Sequence, residues 1–513
     1  MKRFIHKFTI LLAGFVLFAQ GCTKDFTEIN TDPSSAGANA FDPNSLLTSA
    51  QLRYTGSTDF AYETWRTNLI YFSVMMQHLA NVNGYWVGDK SRNNTTYEAS
   101  YFERAYDEQV KYVVDLVRFT QDKPQYKNLH NMGRIMKAAI FHRITDIYGD
   151  VPYSEAGLGF YEQIFTPKYD DQESIYDDML NELESAANGL DPNNGEIISG
   201  DLIFDGDIAK WEKFANSLML RLAMRLSKVN ASKAQQWAEK AAAAGVMTSN
   251  DDNALVNHDA STDRLTPCRN SIVMNLSYES PNMRLSQTFV NWMKSKGDPR
   301  LFVYGKNPDG NINPLTTFGM PNGYDLANKP ISGAPGYPVN GLDGYIAPNL
   351  AVVGKMNGPT FLQTYAEVEL LLAEAAHRNW NVGGTAAGHY ENGVRAALTY
   401  LSQYDPAGAI PPAAVDLYLL ANPFNANNAL QQIAEQYWAA TFLNEYEAFA
   451  NWRRTGFPDL TPTTFPTDIT GGKIPRRLRY PTHEYSNNEA NITAAVARQG
   501  ADDLNTRVWW DVQ

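Results

Sequence analysis

The stretch Lys210–Val229 reads Lys-Trp-Glu-Lys-Phe-Ala-Asn-Ser-Leu-Met-Leu-Arg-Leu-Ala-Met-Arg-Leu-Ser-Lys-Val. Trp211, Phe214, Ala215, Leu218, Leu222, Leu226 and Val229 recur at helical spacing and form one apolar face. Lys213, Ser217, Arg221, Arg225 and Lys228 form the opposite side. The same periodicity predicts helices over Glu103–Thr120, Tyr126–Tyr148, Glu173–Gly189, Ser232–Ala244, Gln287–Lys296, Thr360–Asn379, Ala386–Leu401 and Ala429–Arg454. Several are neighbours joined by short Gly/Pro/Asn turns. A mainly α fold follows, whose paired helices suggest tetratricopeptide-like hairpins. No clean 34-residue period is present, so the repeat is degenerate.

Residues 305–360 break the pattern, with ten Gly and eight Pro in that span. A segment of that length without periodicity inside a globular chain is expected to be functional or a lid. Tyr324, Tyr337 and Tyr345 lie in it. A second aromatic loop is Asn81-Val-Asn-Gly-Tyr85-Trp86, between two helical stretches.

The N-terminus gives an address. Lys2, Arg3 and Lys7 precede the apolar run Phe8–Ala19, which is too short to span a bilayer and fits a secretory core. Gly21-Cys22 closes it, with Ala19 where leucine is usual. The reading is a lipoprotein signal over residues 1–21, with Cys22 as the acylated first mature residue. Residues 22–44 form a Pro/Ser/Gly/Asn-rich tether, and 45–513 form a single α domain. Acyl chains contribute about 0.8 kcal/mol per buried CH₂, so three of them would hold a soluble domain on a membrane. No other stretch is apolar enough to span.

The net charge is −13, and loss of the three signal cations takes it to about −16. That balance argues against nucleic acid as a partner. With Cys22 acylated, Cys268 is alone and is expected to be a buried thiol. Standard nucleophile, metal-protease, P-loop and dinucleotide signatures are absent. Carboxylates are abundant, but none stands out as an acid/base pair. No catalytic residue, cofactor or metal site is therefore assigned. Asn307-Pro-Asp309-Gly-Asn311-Ile-Asn313 alternates oxygen side chains as calcium loops do, yet its Gly is misplaced and position twelve is Phe318; a hydrated turn fits better. Trp452-Arg453-Arg454 and Arg476-Arg477-Leu478-Arg479 are expected to pair internally with acidic helices.

Several ordered segments resemble the SusD/RagB family of Bacteroidetes surface lipoproteins, in its SusD-like branch. They are Cys22–Pro33, Asp146–Glu155, Pro167–Glu173 with Ile175-Tyr176, Gly206-Asp207 leading into Lys210–Leu218, and Arg221–Arg225. Tyr365-Ala-Glu367, Ala373-Glu-Ala375, Trp452–Pro458, Ile474–Pro481 and Trp509-Trp510-Asp511 complete the set. The resemblance implies a mainly α scaffold of tetratricopeptide-like helix pairs capped by long irregular loops, and no catalysis. It also implies nutrient capture, most often of oligosaccharides and in some members of peptides, for a SusC-like TonB-dependent transporter. The expected location is the outer membrane, lipid-anchored and facing outward. The family's ligand contacts lie on variable loops, so candidate ligand residues rest on loop placement alone: Asn81, Asn83, Tyr85, Trp86, Tyr324 and Tyr345. Sugar faces stack on Tyr and Trp, while hydroxyls pair with amides at the rim.

If Cys22 carries the anchor, Cys22→Ala should move the protein out of the membrane fraction. Detergent-free fractionation checks this, and a variant that stays with the membranes contradicts the lipoprotein reading.

Overall fold

A computed structural model describes residues 41–56, 61–260 and 268–512. Cys22, the expected acylation site, and most of the expected tether lie outside the described residues. The longer α-helices are α1 (Asn44–Thr55), α2 (Thr95–Arg104), α3 (Lys111–Thr120), α4 (Lys127–Tyr148) and α5 (Gln172–Gly189). They continue with α6 (Ile208–Arg225), α7 (Ala231–Ala244), α8 (Ser271–Glu279), α9 (Gln287–Lys296) and α10 (Tyr365–His377). The last are α11 (Ala386–Thr399), α12 (Pro412–Ala421), α13 (Ala429–Ala440), α14 (Glu445–Thr455) and α15 (Glu489–Gln499). Two π-helical stretches, Thr64–Ser73 and Ala105–Val110, interrupt the α pattern. Among the described residues no helix is long and apolar enough to cross a membrane.

Side-chain caps set several helix starts. Asp171 accepts from Ser174 N–H before α5, and Asp207 from Lys210 N–H before α6. Thr364 and Glu367 form a reciprocal capping box at α10. Consecutive helices then pack in pairs: α3 on α4, α4 on α5, α5 on α6, α6 on α7, α10 on α11 and α13 on α14. The fold is mainly helical, as the periodicity predicts. Short antiparallel ladders pin the loops: β1 (Leu79–Asn81) with β5 (Met283–Leu285), β2 (Val151–Pro152) with β3 (Tyr169–Asp170), β4 (Ala254–Val256) with β8 (Thr360–Gln363), and β6 (Gly305–Lys306) with β7 (Ala347–Pro348).

Three sequence expectations change. Thr360–Gln363 is strand β8, because Asn253 Oδ1 accepts from Tyr365 N–H and Thr364 delays the helix start. Ala429–Arg454 is two helices, broken where Leu443 takes a left-handed backbone (φ 72°). The polar side of α6 is buried: Ser217, Arg221 and Arg225 are all inaccessible.

Those arginines enter a network that joins the helix pairs. Arg221 Nη2 donates to Glu367 Oε2 on α10 at 2.7 Å, and its Nε lies 3.5 Å from Glu447 on α14. Arg225 Nη2 donates to Glu447 Oε2 at 2.5 Å and its Nε to Asp146 Oδ2 on α4 at 3.1 Å. The Tyr437 hydroxyl on α13, with a single proton to donate, lies between Glu447 Oε2 at 3.0 Å and Glu367 Oε2 at 3.2 Å, and Trp510 Nε1 donates to Asp146. Tyr176 on α5 also bonds Asp146. A second knot lies nearby. Arg454 donates through both Nη atoms to Glu374, each at 2.6 Å, and Arg378 adds two more bonds to Glu374 Oε1.

The late basic residues pair internally, as expected. Arg476 meets Asp511, Arg477 meets Asp502 and Arg479 meets Glu98. Arg453 instead lies over the Phe449 and Trp510 rings, and burial pulls its guanidinium down to about 10.

The Gly/Pro-rich segment is tied down at many points. Asp325 Oδ1 accepts the backbone N–H groups of Ala327, Asn328 and Lys329. Met320, Ile331, Ala334 and Tyr345 form a small core with Ala80 and Val82 of the β1 region. In the turn at 307–315, Asp309, Asn311 and Asn313 cap backbone N–H groups two residues ahead. Cys268 is half-buried, not fully buried, and its carbonyl accepts from Asp259 N–H.

The buried carboxylates make stability pH-dependent. Burial pushes Glu374 and Glu447 up, but Arg454 in one case and Arg221 with Arg225 in the other outweigh it and hold each at about 2. Asp146 is likewise held well below the carboxylate range: burial opposes this, and His142 and Arg225 overcome it. Burial holds Glu367 above its ordinary value, so that group acts with the opposite sign. A carboxylate depressed on folding stabilises the fold above its unfolded pKa and loses that contribution as pH falls. These depressed carboxylates should therefore make the melting temperature fall as pH drops between about 4.5 and 2. Glu374→Gln should melt lower at neutral pH and show a shallower acid limb. A melt series over pH measures both.

Candidate functional site

Antiparallel pairing of β1 with β5 fixes the loop that follows β1. Val82 N–H donates to Asn282 O, which carries residues 81–86 past the C-terminal end of α8. Side chains alternate along this loop. Ala80 and Val82 face the small core under the Gly/Pro segment. Asn81, Asn83 and Tyr85 all turn to Glu279, the last residue of α8.

Glu279 is 1% exposed and accepts four donors. Oε1 accepts from Tyr85 OH at 2.8 Å and from Trp65 Nε1 at 3.1 Å. Oε2 accepts from Asn83 Nδ2 at 3.1 Å and from Asn81 Nδ2 at 3.2 Å. Trp65 comes from the π-helix Thr64–Ser73, a rare geometry often found at functional sites. Its ring meets Tyr85 edge-on (centroids 6.1 Å) and Tyr278 edge-on (5.8 Å), and Tyr62 lies 6.0 Å away. Tyr278 is 60% and Tyr85 36% exposed. Burial, then the bond to Glu279, raises the Tyr85 phenol above its ordinary value, so it stays a neutral donor. The result is an aromatic platform open to solvent on a hydrogen-bonded base.

Each sequence-predicted residue has a definite place. Asn83 and Tyr85 are at the platform, and Asn81 is buried beneath it. Trp86 is corrected to a core ring: it is fully buried and its faces are closed by neighbouring side chains. Tyr345 is also corrected, since it is 3% exposed within the small core. Tyr324 is half-buried against that core, with Lys329 Nζ 4.5 Å from its ring. Gly84 keeps an ordinary backbone. The demanding glycine is Gly88, where a Cβ would sit 2.4 Å from Tyr71 O. Trp65, Tyr278 and Glu279 were not singled out by sequence. The Tyr62/Trp65 spacing of one helical turn was the available signal.

Two other clusters have structural explanations. His142, Asp146 and Glu447 could together hold a metal by proximity, but Arg225 already occupies both carboxylates and Arg221 adjoins Glu447. A cleft of about 1120 Å³ lies between Tyr106, Phe165 and His483, and its charges pair locally, as in His483–Glu103 and Arg104–Glu108. Glu279 is too deeply buried and too fully bonded to reach a glycosidic oxygen.

Comparison with known proteins defines the class. The family model described as "Starch-binding associating with outer membrane" (SusD-like) matches residues 37–481. The chain therefore belongs to the SusD-like family of outer-membrane-associated nutrient-binding proteins. A solved chitin-binding protein is 36% identical, with a TM-score of 0.81, over 92% of this chain and all of its own. A Bacteroidetes SusD-like protein is 28% identical (TM-score 0.80), again over 92% of this chain and all of its own. A chitin-binding SusD homologue from Flavobacterium johnsoniae is 26% identical (TM-score 0.74), over 92% of this chain and 99% of its own. No curated protein matches the chain.

Trp86→Ala should lower stability by about 3–5 kcal/mol, as expected for a large buried ring, and leave ligand affinity per folded molecule unchanged. A thermal melt paired with calorimetric titration tests both.

Proposed function

We propose that the chain is a glycan-binding lipoprotein. It takes an oligosaccharide on the Trp65–Tyr85–Tyr278 platform and passes it to a SusC-like TonB-dependent transporter, without chemistry of its own. It is held outward on the outer membrane through Cys22. The observation that carries the ligand class is the exposed aromatic platform in a chain 36% identical to a chitin-binding protein. That likeness favours β-linked N-acetylglucosamine oligomers. Such chains present flat apolar ring faces to aromatic side chains, with amide and hydroxyl groups at the edges.

Each sugar face stacked on a ring buries tens of Å², roughly 1–2 kcal/mol at about 25 cal/mol per Å². Two or three such contacts, less the cost of association, give micromolar to millimolar affinity. Weak binding suits delivery, because the ligand must leave again.

Tyr278 tests the reading cleanly, since its ring is exposed and carries little of the core. Tyr278→Ala should weaken binding of a chitohexaose probe about tenfold, while the melting temperature stays close to that of the wild type. Titration calorimetry with maltohexaose as the comparison sugar measures this; unchanged chitohexaose affinity contradicts the platform.

A further inference from the structure

We infer that Glu279 is the positioning residue of this platform: one buried carboxylate sets the attitude of the rings that meet the ligand. The inference rests on the proposed glycan site. Four donors reach Glu279 from two separate chain segments, the π-helix and the loop after β1. Two carboxylate oxygens offer about four acceptor positions, so the group is saturated. Each donor belongs to a residue at or directly under the platform. The indole N–H of Trp65 and the phenol O–H of Tyr85 share Oε1, which locks these two rings edge to face. Asn81 and Asn83 hold the loop through Oε2.

No other side chain type can take this place. Glutamine keeps the shape, but one oxygen becomes an NH₂ donor and two of the four donors lose their acceptor. Aspartate keeps the charge but is one methylene shorter, so its oxygens cannot span both segments. Tyr278 meets Trp65 edge-on and its ring is 60% exposed, so its removal tests stacking at the platform while the four donors to Glu279 stay in place.

Three observations test the inference. Glu279→Gln should weaken chitohexaose binding about tenfold. In a Tyr85→Phe background, the same substitution should weaken it much less, because part of what Glu279 holds is already gone. The indole N–H resonance of Trp65, assigned with Trp65→Phe, should move upfield in Glu279→Gln as its charged acceptor is lost. Asn83→Ala removes one donor and leaves the carboxylate in place; it serves if Glu279→Gln does not fold, and should weaken binding severalfold with a near-normal melt.

Wild-type affinity in Glu279→Gln with a displaced indole resonance would overturn the inference. So would losses from Glu279→Gln and Tyr85→Phe that simply multiply, and, where Asn83→Ala is used instead, wild-type affinity in that variant. If Tyr278→Ala binds normally, the platform itself fails, whatever Glu279 does.

Discussion

The buried contact between α6 and α14, Arg221 and Arg225 against Glu447, is the constraint on which the rest of the scaffold depends. Moving two guanidiniums and three carboxylates out of water costs several kcal/mol per ion. That cost is offset only if every charge meets its partner at close range. Asp146, Glu367 and Glu447 arrive from α4, α10 and α14, so the cost is met only when the helix pairs adopt one mutual arrangement. A hydrophobic core tolerates small slides between helices; this polar knot does not. The network therefore contributes more to specificity of packing than to net stability.

The same helix leads to the site. α14 begins at Glu445, whose N–H donates to Asn68 Oδ1, and Asn68 Nδ2 donates to Leu443 O in the preceding turn. Asn68 lies in the π-helix one turn from Trp65. His78, just before β1, bonds Glu445 Oε2 at 2.7 Å. Both segments that form the platform are thus anchored at the start of α14, close to the ion network. Rings held this way have little freedom left to lose on meeting a ligand, a form of preorganisation.

The sequence disclosed the helices because each has an apolar stripe of regular period. It hid the burial of the opposite stripe on α6. Periodicity reports that Arg221 and Arg225 lie away from the apolar face; it cannot report that Glu367 and Glu447, some 150 and 220 residues later, will meet them there. The break after Ala440 was hidden for a related reason. Residues 441–444 are compatible with a helix, and tertiary bonds at Asn68 and Glu445 override that local preference. At the site, the loop 81–86 was legible as an aromatic loop, but loop placement alone grouped Tyr85 with Trp86. The structure separates them: Asn81, Asn83 and Tyr85 turn to Glu279, while Trp86 is buried in the core. The partners Trp65 and Glu279 come from elsewhere in the chain and have no local signature.

The Gly/Pro-rich segment shows how a sequence without periodicity can still be ordered. Its glycines and prolines forbid long helices, but they do not forbid packing. Met320, Ile331 and Tyr345 close over Ala80 and Val82, while Asn322 Nδ2 donates to Leu79 O. Strand β1 and the residue after it thus work on both sides at once. Ala80 and Val82 hold the Gly/Pro segment, and Asn81 reaches Glu279 under the platform. A one-residue slip of the β1–β5 register would put Asn81 into the small core and Val82 against the carboxylate, losing both sets of contacts together. Three paired residues therefore fix the segment and the aromatic platform as one unit.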